Sequence, residues 1–237
     1  MERVVVEKES VIYTCNCGWV DVGHANPKSY RFGEGARSLW DQILSQNGKS
    51  SKAEDGFKVF YQQKMGKVGV PVFGDVLVGP EQSFFVARSL NRQEQESVAL
   101  GIFLYMTYKF EDFQGSFPGT GHSSYSIEDV VSNVLGFYNI VRGTNWRREC
   151  GVVGKDASLK VFDNYKEQIN RTRVATPSPI FFDCSECKSQ PKFPSIFKSI
   201  NVLSPKMKDF YINRTFQYGS KSRKWIPIDD GLELRSF

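Results

Sequence analysis

Histidine is scarce. The 237 residues hold only two, His24 and His122, and no HExxH zinc helix is present. Neither a phosphate loop nor a dinucleotide glycine fingerprint occurs, so nucleotide chemistry of those kinds has no sequence support. No apolar run is long enough to span a bilayer. The opening stretch Met1-Glu2-Arg3-Val4-Val5-Val6-Glu7-Lys8-Glu9-Ser10 lacks the apolar core of a secretory signal. The expectation is therefore a soluble chain, cytoplasmic as made, with signal-independent export left open. Cysteine is sparse and odd in number: Cys15, Cys17, Cys150, Cys184 and Cys187. An odd count without a signal argues against a disulfide framework and for reduced thiols. The alternative is a four-thiolate zinc site from Cys15-Asn16-Cys17 and Cys184-Ser185-Glu186-Cys187, which needs an unusual CxC half-site. Internal repeats and low-complexity tracts are also absent.

What is present is a globular composition, 40% hydrophobic and 14% aromatic, with 19 Phe. The length suits one large domain, or a domain with an appendage. The net charge of +5 is unevenly spread. From Lys188 to Lys224 there are nine Lys or Arg against one acid, Asp209, a local charge of +8 that leaves −3 for the other 200 residues. Such a segment suits an anionic polymer, a membrane surface or an acidic partner; the plain alternative is a solvated basic face. Interleaved Phe, Tyr and Trp are too weak a signal to expect nucleic acid.

Residues 91–141 organise the chain. A polar run, Asn91 to Glu96, leads into Ser97-Val98-Ala99-Leu100-Gly101-Ile102-Phe103-Leu104-Tyr105-Met106-Thr107-Tyr108, apolar almost all round. That pattern predicts a buried helix, with Glu111 and Asp112 where it emerges. A glycine-rich loop, 115–121, leads to His122 and Ser123. A second helix follows from Ile127 to about Val141, with Ser126 as N-cap, Asp129 reaching back to it, and Gly143 as the stop. Further helices are expected over 35–46, ended by Asn47-Gly48, and over 156–168. Strands are expected at 4–6, 11–14, 19–22, 57–62, 68–78, 83–88, 210–213 and 225–228. The order predicts an α+β fold: a central buried helix, with two or three more, on a small, mainly antiparallel sheet. Thr176-Pro177-Ser178-Pro179 suggests a boundary, with a catalytic domain over 1–175 and a basic Pro/Phe-rich subdomain over 176–237.

The candidate catalytic residues are Glu111, His24, Asp21 and His122. Both histidines lie beside glycines in expected bends, where an imidazole is freer to act than in a core. Asp21 stands three residues before His24 and is expected to orient it. Glu111, leaving a buried helix, would have the raised pKa of a general acid. Cys15, Cys17, Trp19, Ser123, Glu128, Asp129 and Asn133 are the expected substrate-binding set, although Glu128 and Asp129 also read simply as first-turn helix acids. His24, Glu111 and His122 offer an alternative metal-assisted site. A Cys15 or Cys17 nucleophile paired with a histidine is another alternative, disfavoured because these thiols end a strand rather than begin a helix.

Tyr13 to Ala25 (YTCNCGWVDVGHA), Thr107 to Phe117 and Ser126 to Tyr138 (SIEDVVSNVLGFY) together resemble the bacterial DUF4056 family, whose function is uncharacterised. The match spans about a third of the chain in the same order, and the third motif is the most specific. The resemblance implies that Asp21, His24, Glu111, Glu128, Asp129 and Asn133 mark a site. It departs at Phe110, where the family has His, which counts against a metal there. The function expected is a hydrolase, directed at bacterial cell wall as glycosidase or amidase, with peptidoglycan as the anionic polymer. The reading from a different class is a non-catalytic module that binds an anionic surface or a protein partner.

Overall fold

The computed structural model describes residues 1–27, 33–48, 56–63, 68–70, 74–76, 79–88, 90–116, 124–201, 211–215, 226 and 227; side chains of residues 68–70, 74–76, 85, 211–215, 226 and 227 are outside the description. The architecture is α+β, with small antiparallel sheets. Among the described residues no helix is long and apolar enough to cross a membrane. The chain divides into two compact units, each assembled from separate stretches. The first holds Met1–Lys28, Gly121–Ser199 and Arg235–Phe237, the second Ser29–Thr120 and Ile200–Leu234.

In the first unit the helix α1, Arg3–Glu7, packs on α7, Lys155–Arg171. The strand expected at Val4–Val6 is thus a helix. Valine's β preference is outweighed by burial of Val6 and by the pairing of Arg3 with Glu7 one turn on and with Asp163 of α7 at 3.1 Å. Next comes the hairpin β1, Val11–Thr14, with β2, Gly18–Asp21. All four β1 residues are buried, so the strand has a core on both faces. Tyr13 and Trp19 pack edge to face at 5.2 Å, and Trp19 meets Phe162 of α7 at 6.4 Å. The Tyr13 hydroxyl donates to the Phe182 carbonyl at 2.8 Å and accepts from the Phe182 N–H at 2.6 Å, which fixes the segment after α7 against the hairpin. The short helix α2, Val22–Ala25, continues β2 and packs on α5, Asp129–Arg142, which ends at Gly143 with φ 65° as expected. Between α5 and α7 lies an unforeseen helix, α6, Trp146–Cys150, capped by the Asn145 side chain. A 3₁₀ turn, Ser195–Lys198, completes the unit, its Phe197 against Tyr138 at 5.6 Å.

The cysteines correct the expectation of reduced thiols. Cys15 is bonded to Cys187 and Cys17 to Cys150, with Cα separations of 5.3 and 5.2 Å, and Cys184 is free. The main chain explains the second bond. The Cys15 and Asn16 N–H groups donate to the carbonyls of Gly151 and Cys150, which carries the end of α6 onto the hairpin turn. Three of the four sulfurs of the sequence-level zinc site are therefore in disulfides, and Cys15 and Cys17 are not thiol nucleophiles in this state.

The second unit is built on β3, Gly56–Gln62, and β6, Glu81–Ala87. They lie in a four-stranded antiparallel sheet of order β3-β6-β7-β8, with β7 at Tyr211–Thr215 and β8 at Ile226–Pro227. A separate hairpin joins β4, Val68–Val70, to β5, Gly74–Val76. The helix α3, Gly35–Ser45, lies along β3, and its Gln42 amide clamps Phe60 by donating to its carbonyl and accepting its N–H, both at 2.9 Å. The left-handed residue that ends α3 is Gln46, φ 51°, one position before the expected Asn47-Gly48. The long helix α4, Arg92–Ser116, starts from a reciprocal cap: Asn91 Oδ1 accepts the Glu94 N–H, and Glu94 Oε2 accepts the Asn91 N–H. Its apolar middle is buried as predicted, with Tyr61 against Phe103 and Phe84 against Tyr105.

Candidate functional site

Asp21 closes β2 and opens α2. Its Oδ1 accepts the backbone N–H of His24 at 2.9 Å, the bond a helix N-cap makes. The link between these two residues is thus a backbone cap, where orientation of the imidazole was expected. The same cap holds His24 at a fixed place on α2, half-buried, with its Nδ1 buried and without a hydrogen-bond partner.

The start of α5 meets this corner. Asp129 Oδ2 accepts the Ser126 N–H at 2.8 Å, the reach-back expected from the sequence, and the Asp129 N–H returns to the Ser126 carbonyl at 3.0 Å. Glu128, Ser132 and Gly136 follow at i, i+4 and i+8, one stripe of a helix. The Ser132 hydroxyl donates to the Glu128 carbonyl and accepts the Asp21 N–H at 2.8 Å. At Gly136 the two backbones nearly touch: a Cβ there would stand 2.2 Å from the His24 carbonyl oxygen. Beyond it, Asn139 reaches Ala25 and Asn26, and the Trp146 indole donates to Asn26 Oδ1 at 3.0 Å. One hydrogen-bonded line therefore runs from Glu128 through Ser132 to Asp21 and on to the His24 backbone.

Glu128 is 8% exposed. Burial holds its carboxyl above the usual carboxylate range, and the Asp21 carboxylate adds to the rise; the backbone hydrogen bond, the Met1 amino group and Arg173 oppose it. Its Oε2 has no hydrogen-bond partner, nor do the buried Asn133 Nδ2 and Trp19 Nε1. An unfilled buried polar atom costs about 1–3 kcal/mol, so such atoms on elements of one unit need an explanation. Trp19 belongs to the aromatic core. Glu128, Asn133 and His24 lie on the two elements that meet at Ser132 and Gly136.

Among the residues expected from sequence, the first unit thus brings Asp21, His24, Glu128, Asp129 and Asn133 onto β2–α2 and the start of α5. Glu111 belongs to the second unit. It is 1% exposed and lies inside α4, which continues to Ser116 instead of ending near it. His122 and Ser123 lie outside the described residues. Ser132 and Gly136 are the joint that sequence reasoning passed over; their i+4 and i+8 spacing from Glu128 was the available signal. Among the described residues no group of three or more His, Cys, Asp or Glu side chains could hold a metal ion. Of the basic segment, Lys188, Lys192 and Lys198 are exposed; Lys206, Lys208, Lys221, Arg223 and Lys224 lie outside the described residues. No family model, curated protein or solved structure matches the chain.

Proposed function

We propose that the protein is a hydrolase working by carboxyl and imidazole proton transfer at the β2–α2 and α5 joint. The observation that supports this reading most is the set of buried, unpartnered atoms there: Glu128 Oε2, Asn133 Nδ2 and His24 Nδ1. They provide an acid, an amide donor and a base on adjoining elements. A carboxyl whose pKa burial raises holds its proton to higher pH than an exposed one and can give it to a leaving group. An imidazole can take a proton from water, and an amide N–H placed where negative charge develops stabilises that charge. Asp21 and Ser132 act as positioning residues, because their bonds hold α2 to α5. The acid role passes from Glu111 to Glu128. The resemblance to the DUF4056 family implies Asp21, His24, Glu111, Glu128, Asp129 and Asn133, four of which this reading uses.

Bacterial cell wall is the substrate class we favour. The +8 charge of residues 188–224 suits an anionic polymer. The disulfides Cys15–Cys187 and Cys17–Cys150 suit an oxidising compartment outside the cytosol, where that polymer lies. The test is a screen of oxidised wild-type protein against peptidoglycan, peptides and esters, followed by His24→Ala on whichever is cleaved. The expected result is turnover that falls by about 100-fold or more in the variant. Binding to sacculi without cleavage of any substrate class would replace the hydrolase with a non-catalytic wall-binding module.

A further inference from the structure

The five cysteines are not equivalent. Cys17 and Cys150 are fully buried, as suits a permanent bond. Cys15, Cys187 and the free Cys184 are all partly exposed, and all three border the same apolar cluster around Tyr13, Trp19 and Phe182. Cys184-Ser185-Glu186-Cys187 is a closed turn, with the Cys187 N–H donating to the Cys184 carbonyl at 3.1 Å. Such a turn keeps its end Cα atoms within about 7 Å, and a disulfide requires about 4.4–6.8 Å. Cys187 is therefore within bonding reach of a second cysteine besides the one that holds it.

We infer that Cys15, Cys184 and Cys187 form a thiol–disulfide exchange site, in which Cys187 is shared between two partners. Cys184, as thiolate, gives an electron pair to the Cys187 sulfur. The Cys15–Cys187 bond breaks, and Cys15 leaves as a thiolate that takes up the proton Cys184 lost. One disulfide replaces another, so no oxidant or reductant is consumed. The surroundings hold both ends in place during the exchange. Glu186 accepts the Gly154 N–H at 2.9 Å, Asp183 accepts from the Tyr165 hydroxyl at 3.2 Å, and Phe182 is bound to Tyr13. Cys15 is kept by its own N–H bond to Gly151 at 2.9 Å. The outcome is a change in covalent linkage at the loop between β1 and β2, the hairpin whose other end carries Asp21. This inference stands apart from the proposed hydrolysis.

The experiment is acid quenching of native protein equilibrated between pH 6 and 9, alkylation, and tryptic mass mapping. Residues 9–28 are joined to 149–155 through Cys17–Cys150 in both forms; with Cys15 bonded to Cys187 they are also joined to 174–188, and after exchange 174–188 carries an internal bond and Cys15 carries the label. A Cys15→Ser variant, folded in oxidised glutathione, supplies the reference mass for the internally bonded 174–188 peptide. Near-ultraviolet circular dichroism and an intact Cys17–Cys150 bond certify its fold. The expected result in wild type is a mixture in which Cys15 and Cys184 are both labelled and the reference peptide is present. Label on Cys184 alone at every pH would overturn the inference.

Discussion

Gly136→Ala tests the joint at the heart of the site. In an ordinary helix this change stabilises by about 1 kcal/mol, because glycine gives up more backbone freedom on folding. Here the added methyl would sit 2.2 Å from the His24 carbonyl oxygen and 3.1 Å from Pro27 Cδ. A relaxed nonbonded contact needs about 3.5 Å, so α2 and α5 must separate by roughly 1 Å. Overpacking against backbone costs about 1–3 kcal/mol, and the separation also stretches the 2.8 Å bond from the Asp21 N–H to Ser132. The net expectation is a loss of about 1–2 kcal/mol, or roughly 3–8 °C in Tm for a unit of this size. Gly143→Ala is the control. It has nothing within 4 Å but a φ of 65°, so it pays left-handed strain without a clash and without loosening α2. Differential scanning calorimetry gives the stability, and amide exchange at residues 24–26 locates the change. A Gly136→Ala protein as stable as wild type, with unchanged protection at His24, would refute the reasoning.

Other outcomes follow from the same structure. Tyr13→Phe removes both partners of the Phe182 backbone in a buried place, and should cost about 2–6 kcal/mol in denaturant unfolding, at about 1–3 kcal/mol for each group left unpaired. Cys150→Ser opens a bond spanning 133 residues and should lower stability by about 2–5 kcal/mol, read as a fall in Tm. Glu128 has a raised folded pKa, so the proton's stabilising contribution is complete below the unfolded value of about 4.3 and is lost as pH rises through the folded value. Wild type should therefore lose stability relative to Glu128→Gln as pH rises from about 4 towards neutrality, with the difference levelling once Glu128 is ionised; parallel Tm–pH curves would contradict this.

The parts of the fold legible in the sequence are those with a long periodic signal. Ile127, Val130, Val131, Val134, Leu135 and Tyr138 mark α5, and the featureless apolar run marks the buried part of α4. The alternation of Phe57, Val59 and Tyr61 gives β3, whose observed span, Gly56–Gln62, differs by one residue. Val4–Val6 misled because three residues are too few for periodicity to outweigh β propensity, and contact with α7 decided the matter. The disulfides were illegible because partners 172 and 133 residues apart are matched by the tertiary fold and not by spacing. Asp21, His24, Glu128 and Asn133 were each visible as polar residues at bends or helix starts. Their joining through Ser132 was hidden, since a serine within an apolar helix looks like filler until the opposing N–H is seen. Glu111 was placed at a helix exit because the apolar run stopped near it, whereas α4 continues through Glu111 and buries it.

The proposed chemistry is tested most directly by the turnover of Glu128→Gln on whichever substrate the wild type cleaves. Glutamine keeps the shape and the neutral, polar character of a protonated glutamate but has no acidic proton to transfer. The account predicts a kcat lower by about 100-fold or more, with KM within a few-fold and an unchanged near-ultraviolet spectrum. A Glu128→Gln protein that turns over at the wild-type rate would contradict it.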